Sequence, residues 1–82
     1  MKTYKYYKWK IHHNWNYGIV KDDTTHMFDP VRMEFDTWGF APMTAEEYQR
    51  YMIEQDDAIE ITKEEFEEKF EIFKTKLTWV LK

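Results

Sequence analysis

The hydrophobic residues of this chain change their spacing once, about halfway along the sequence. In residues 3–11 they alternate with polar residues, so that Tyr7 and Trp9 fall on one face and lysines on the other, which is the pattern of a half-buried strand. In the second half they recur at the spacing of an amphipathic helix. This order predicts an α+β domain, with residues 1–43 mainly strand and loop and residues 44–82 mainly helical.

Three strands are predicted in the first half. Residues 3–11 and 17–21 would form a hairpin around a turn at 13–16, where asparagines accept turn geometry. A third strand is predicted at 31–36, because apolar and charged residues alternate there. Residues 26–29 would either extend this strand or form a separate piece. A short segment between the helices adds a fourth strand or an extended linker.

Both predicted helices begin with a capping box, in which Thr and a Glu three residues later satisfy backbone N–H groups. The pairs are Thr44 with Glu47 and Thr62 with Glu65, and the first helix should end near residue 55. The predicted inner faces consist of Tyr48, Tyr51 and Met52 in the first helix and of Phe66, Phe70, Phe73 and Leu77 in the second. We therefore expect a small antiparallel sheet of three to four strands, an N-terminal hairpin or meander, with the two C-terminal helices packed on one face.

Length and composition exclude several classes of protein. Eighty-two residues predict one domain, residues 1–82. The chain has no cysteine, no signal-peptide pattern and no apolar run of membrane-spanning length, so we expect a cytoplasmic protein without a membrane partner. It also has no serine, no glycine-rich phosphate loop and no metal-ligand spacing among its histidines. We expect neither an enzyme nor a bound metal or cofactor.

The charge is strongly divided along the chain. Residues 1–21 carry five lysines and no acid, whereas residues 46–71 carry eleven acids against three basic residues, within a net charge of −4. Such asymmetry often marks an interaction surface. Seven acidic residues, which we call the acidic set, are the main candidates for binding a partner protein with a basic surface: Glu54, Asp56, Asp57, Glu60, Glu64, Glu68 and Glu71. The alternative is a solvated helix surface that keeps a small domain soluble.

A second candidate site is the basic and aromatic first strand. Its lysine strip combines positive charge with rings on which bases stack, as single-stranded nucleic acid requires. The strip consists of Tyr4, Tyr6, Lys8, Lys10 and His12. Tyrosines that pack in a sheet and lysines that protect its edge would give the same pattern, and the negative charge of the whole chain opposes phosphate binding.

The third candidate is an aromatic loop before the first helix. Its apolar residues are Trp38, Phe40 and Met43. They would either anchor a partner protein or a homodimer, or cover the open end of the sheet. The small size, missing cysteines, aromatic core and divided charge resemble small accessory proteins of bacteria and their phages.

The leading hypothesis from the sequence is a non-enzymatic protein-binding module. In its sharpest form this is an inhibitor, of the kind found in phages or mobile elements, that docks acidic helices on a basic surface of a nucleic-acid-handling protein. The alternative hypothesis is a single-stranded nucleic-acid-binding domain that uses the lysine strip.

Overall fold

The computed structural model describes residues 4–21 and 23–80, with side chains described through Thr78. These residues form a five-stranded antiparallel sheet and two α-helices, which confirms the α+β class and corrects the expected strand number of three to four. In chain order the elements are β1 (Lys5–Ile11), β2 (Asn14–Lys21), β3 (Thr24–Asp29), β4 (Glu34–Gly39), α1 (Ala45–Asp56), β5 (Ile59–Ile61) and α2 (Lys63–Val80). The first four strands form a meander, and β5 pairs with β1, so the order across the sheet is β4-β3-β2-β1-β5.

The turn between β1 and β2 contains two residues. His12 and His13 have φ angles of 51° and 70°, as in the two-residue hairpin turns in which both central residues are left-handed. Histidine is among the residues that enter this region more often than average. The turn predicted at 13–16 is therefore wrong, because Asn14 already begins β2.

The strand predicted at 31–36 is also wrong. The Asp29 carboxylate accepts hydrogen bonds from the N–H groups of Val31 (2.9 Å) and Arg32 (3.0 Å), and Met33 has a φ of 57°. These features make residues 30–33 a turn, stabilised by the side chain that precedes it. Two strands flank this turn. Residues 26–29 belong to the separate strand β3, which is one of the two predicted alternatives, and β4 contains only residues 34–36 of the strand predicted at 31–36.

The two helices lie on opposite faces of the sheet, which contradicts the expectation that both pack on one face. On the α1 face, Tyr48 and Met52 of the helix pack with Tyr7, Trp9 and Val20 of the sheet. On the α2 face, the helix packs on the alternate side chains of the same strands, among them Tyr17, Ile19 and Phe28. The chain passes from one face to the other through β5, which adds to the edge of β1.

The α1 helix closely follows its prediction. It begins after Thr44 and ends at Asp56, with both hydrogen bonds of the capping box present. Tyr48 and Met52 are buried, but Tyr51 is 47% exposed and does not belong to the inner face as predicted. Neither described helix is long and apolar enough to span a membrane.

Phe28 lies at the centre of the aromatic packing on the α2 face. Its ring centroid lies 5.0–5.5 Å from those of Tyr17, Phe66, Phe70 and Phe73. Aromatic contacts of this geometry add to the stability gained by burying the rings. They fix α2 across the middle strands and leave the β4 side of this face less covered.

Candidate docking surface on the second helix

The lysine strip contacts α2 at its centre. Lys8 Nζ lies 3.2 Å from a carboxylate oxygen of Glu65, and the ring of Tyr6 lies 5.1 Å from that of Phe66. Both side chains are half-buried. The middle of the strip therefore takes part in packing α2 on the sheet, and its rings do not form a continuous open platform.

The other members of the strip are more exposed. Lys10 lies on the surface with its Nζ 5.0 Å from the ring centroid of Trp15. Tyr4 is 41% exposed and lies beneath the ammonium group of Lys21 at 5.3 Å. His12 belongs to the hairpin turn, so it does not continue the face of β1 as the sequence pattern predicted.

The aromatic loop is mostly part of the core. Phe40 is 7% exposed and stacks on Tyr48 with ring centroids 4.3 Å apart. Trp38 belongs to β4, and its indole N–H donates a hydrogen bond of 2.6 Å to the Tyr48 hydroxyl. Only Met43, which is 40% exposed, offers an apolar surface to solvent.

The acidic set is divided between two regions of the molecule. Glu54, Asp56 and Asp57 lie on the second half of α1 and at its C-terminal cap, all exposed. Glu60 lies on β5 and forms an exposed ion pair of 3.2 Å with Lys5. Because α1 and α2 lie on opposite faces of the sheet, the structure does not bring all seven acidic residues onto one surface.

The remaining members of the acidic set lie together on α2. Glu64, Glu68 and Glu71 are exposed, and their helical spacing places them opposite the buried Phe66. The structure adds Glu67, which sequence reasoning omitted although it lies one helical turn before Glu71. We call these four glutamates the acidic face. With Phe70 they line a shallow depression on the surface.

Ion pairs within the helix neutralise only part of the acidic face. Glu67 pairs with Lys63 at 3.8 Å and Glu71 with Lys74 at 2.8 Å, both among exposed side chains. Exposed pairs of this kind contribute little to stability and exchange readily with solvent or with other charges. Among the described residues, no ion pair includes Glu64 or Glu68.

A groove beside the acidic face is the feature that sequence reasoning missed. This aromatic groove, with a volume of about 530 Å³, runs between α2 and the uncovered side of the sheet. Its apolar lining includes Phe28 and Phe35 from the sheet and Phe66, Phe70, Phe73 and Leu77 from α2. Phe35 is 72% exposed and Phe70 37%. The register of β3 and β4 places Phe35 opposite Phe28. No local sequence pattern indicates how far α2 covers these two rings.

Two buried tyrosines of the sheet have a raised pKa. Burial raises the pKa of the Tyr17 phenol, and the nearby Glu65 carboxylate raises it further. Burial likewise raises the pKa of Tyr7, with Glu60 adding to the effect. The charges that a partner would meet are therefore those of the exposed lysines and carboxylates. Within the described parts of the chain, no group of three His, Asp or Glu residues is arranged to hold a metal ion.

No protein-family model, curated protein or solved structure matches this chain.

Proposed function

We propose that this protein is a non-enzymatic protein-binding module that docks the acidic face of α2 on a basic surface of a partner protein. The observation that carries the proposal is the position of Glu64 and Glu68, which are exposed one helical turn apart on the side of α2 that faces away from the sheet. A row of carboxylates on a rigid helix resembles a row of phosphates, so basic surfaces of nucleic-acid-handling proteins are the class of partner that it fits best.

The internal energetics of α2 account for only part of this row, because the helix dipole favours Glu64 in the first turn but not Glu68 beyond it. Like charges at i and i+4 destabilise a helix by about 0.2–0.5 kcal/mol, and Glu64 and Glu68 have this relation. Complementary charges at an interface raise the association rate and select the partner. Binding therefore supplies a reason for Glu68, whose repulsion from Glu64 folding alone disfavours.

The nucleic-acid alternative has less support from the geometry. Lys8 and Tyr6 lie at the centre of the lysine strip, and both contact α2. A strand of nucleic acid would have to displace Glu65 from Lys8 before it could use that charge. Lys10 and Tyr4 remain exposed, so a nuclease treatment belongs in the test of function.

The test is a pull-down from lysate of the source organism with three tagged proteins, with and without nuclease and at low and high salt. The binding variant combines Glu64→Gln with Glu68→Lys on α2. The matched control combines Glu54→Lys with Asp56→Asn on α1, which changes the net charge by the same amount on the opposite side of the sheet.

We expect wild type and the control to recover a partner protein that the binding variant does not recover. The amount recovered should be unaffected by nuclease and should decrease at high salt. Equal loss from both variants would show that only net charge matters and would contradict docking through α2. Recovery of nucleic acid, with proteins lost after nuclease, would favour the lysine strip instead.

A further inference from the structure

The aromatic groove exposes an unusual amount of aromatic surface for so small a chain. Phe35 is 72% exposed and Phe70 37%, and their ring centroids lie 6.5 Å and 6.4 Å from that of the buried Phe73. The groove is thus continuous with the core beneath α2. Contiguous apolar surface rimmed by polar groups is typical of an interaction site.

The groove and the acidic face share a boundary. Phe70 lines both the groove and the depression formed by the four glutamates. Any segment that covers Phe70 therefore lies next to Glu67 and Glu71, which line that depression together with it.

The charges around the groove favour a basic occupant. Two ammonium groups lie at its rim, and both have partners within the molecule: Lys74 pairs with Glu71 at 2.8 Å, and Lys21 lies over the ring of Tyr4 at 5.3 Å. Asp36 adds a carboxylate to the lining. Counted with the adjoining acidic face and with Lys63, the partner of Glu67, five carboxylates lie in or beside the groove against three ammonium groups.

The dimensions favour a helix as occupant. The α2 wall of the groove extends from Phe66 to Leu77, a rise of about 16 Å or three helical turns. Helices that bind in grooves place apolar residues at i, i+3, i+4 and i+7 over such a length. The flank of the same helix that lies next to α2 would then be near the glutamates that adjoin Phe70.

From this arrangement we infer that the aromatic groove receives the apolar side of a basic amphipathic helix of the partner protein, whose lysines or arginines meet the acidic face. The inference rests on the proposed function and adds to it the secondary structure and the amphipathic pattern of the bound segment. Phe35 and Phe70 are the apolar contacts, and Glu67, Glu68 and Glu71 the charged ones.

The test uses two synthetic peptides of identical composition and about 18 residues, five helical turns. One has leucines at i, i+3, i+4 and i+7 with lysines at the positions that flank this stripe, and the other has the same residues in scrambled order. Affinity is measured by calorimetry against wild type, Phe35→Gln and a glutamate variant that combines Glu67→Gln, Glu68→Gln and Glu71→Gln. Ile53→Gln is the matched control, because Ile53 is a 50% exposed apolar residue of α1 outside the groove.

Wild type should bind the amphipathic peptide at least about tenfold more tightly than the scrambled one, and Phe35→Gln should remove most of that difference, as expected for an interface anchor. Ile53→Gln should bind like wild type. The glutamate variant should weaken binding of both peptides. Because Phe35 is largely exposed, Phe35→Gln should fold normally, which circular dichroism checks.

Three results would overturn the inference. If wild type bound both peptides with equal affinity and the glutamate variant bound neither, the acidic docking function would be retained, but binding of a helix in the groove would be excluded. If the affinity for the amphipathic peptide depended on Phe35 but not on the glutamates, the basic occupant and the proposed function would both be excluded. A wild-type dimer that Phe35→Gln converts to monomer would identify a second copy of this chain as the occupant.

Discussion

At the scale of single residues, the closest packing in the sheet lies between β1 and β2. Gly18 lies opposite Tyr7 and beside the indole of Trp9 on the α1 face. A Cβ atom at Gly18 would lie 2.6 Å and 2.9 Å from two carbons of that ring. The absence of a side chain at this position allows the ring of Trp9, which is 6% exposed, to approach the neighbouring strand closely.

We predict that Gly18→Ala destabilises the domain by roughly 1–3 kcal/mol, the usual cost of overpacking a core. Gly39→Ala is the matched control, because its nearest neighbour would be the Asp23 carbonyl oxygen at an ordinary 3.6 Å and neither glycine has a positive φ. That change should leave stability unaltered or raise it by up to about 1 kcal/mol. Urea unfolding measures both, and equal effects would contradict the packing of Trp9 on Gly18.

At the scale of elements, the start of α1 depends on a reciprocal pair of hydrogen bonds. The Glu47 N–H donates to the Thr44 hydroxyl oxygen, and the Thr44 N–H donates to the Glu47 carboxylate, both at 3.1 Å. The bond from the Thr44 backbone is the main reason that the pKa of Glu47 lies below its ordinary value, and the Thr44 side chain lowers it further.

This lowered pKa predicts a dependence of stability on pH. A carboxylate with a lower pKa in the folded state adds stability above its unfolded pKa and loses it as the pH falls through the folded pKa. Wild type should therefore lose more stability between neutral pH and pH values below 4.5, the ordinary pKa of glutamate, than Glu47→Gln does. Glu46→Gln leaves the capping box intact and is the control. Identical pH profiles of wild type and Glu47→Gln in urea unfolding would contradict the prediction.

The acidic face of α2 predicts opposite effects on stability and on binding. Glu68→Lys turns the repulsion between Glu64 and residue 68 into an attraction between opposite charges. It should therefore stabilise the domain by about 0.5 kcal/mol. Glu67→Lys loses the exposed pair with Lys63 but replaces repulsion from Glu64 and Glu71 by attraction, so it should leave the domain at least as stable as wild type. Both changes should weaken binding of the basic partner.

Thermal unfolding and a binding assay, performed on the same two variants, check this prediction. If binding followed stability, so that Glu68→Lys bound better than wild type, the acidic face would not be the contact surface.

At the scale of the whole molecule, one sheet separates two aromatic cores, and the α2 core is incomplete on its outer side. Phe28 and Phe35 are cross-strand neighbours on the same face, yet Phe28 is 3% exposed and Phe35 72%. The difference arises because α2 covers β3 and does not extend over β4. A ring that contributes to folding thus lies beside one that is available to a partner.

We predict that Phe28→Ala costs about 3–5 kcal/mol, as is usual for a buried phenylalanine, and that Phe35→Ala costs less than about 1 kcal/mol. A domain of this length has a total stability of roughly 4–12 kcal/mol, so Phe28→Ala approaches complete unfolding. Phe28→Leu provides a milder variant whose loss remains measurable. Equal costs for Phe28→Leu and Phe35→Leu in urea unfolding would mean that Phe35 is buried in solution and that the groove is closed.

The sequence by itself determined the class of fold and the elements whose signals are local. Alternation placed Tyr7 and Trp9 on a buried strand face, and helical spacing with capping residues located α1 and α2. These features could be predicted because period and capping depend on neighbouring residues along the chain. Helical spacing also identified Glu64, Glu68 and Glu71 of α2, which are exposed, although it omitted Glu67.

The turns were harder to locate, although their signals are also local. The pattern of Val31, Met33 and Phe35 fits a strand, but the Asp29 carboxylate that caps Val31 and Arg32 makes a turn there. Alternation over a few residues could not decide between the two, because a turn can contain the same order of apolar and polar residues.

Only the tertiary structure decided which face of the sheet each helix covers and how completely. Phe66 and Phe70 occupy the same helical stripe, yet one is 9% exposed and the other 37%. Their difference depends on the direction in which α2 crosses strands that are distant in sequence. The addition of β5 to the edge of β1 likewise depends on contacts about fifty residues apart. The aromatic groove is a product of these long-range contacts, which no periodicity in the chain encodes.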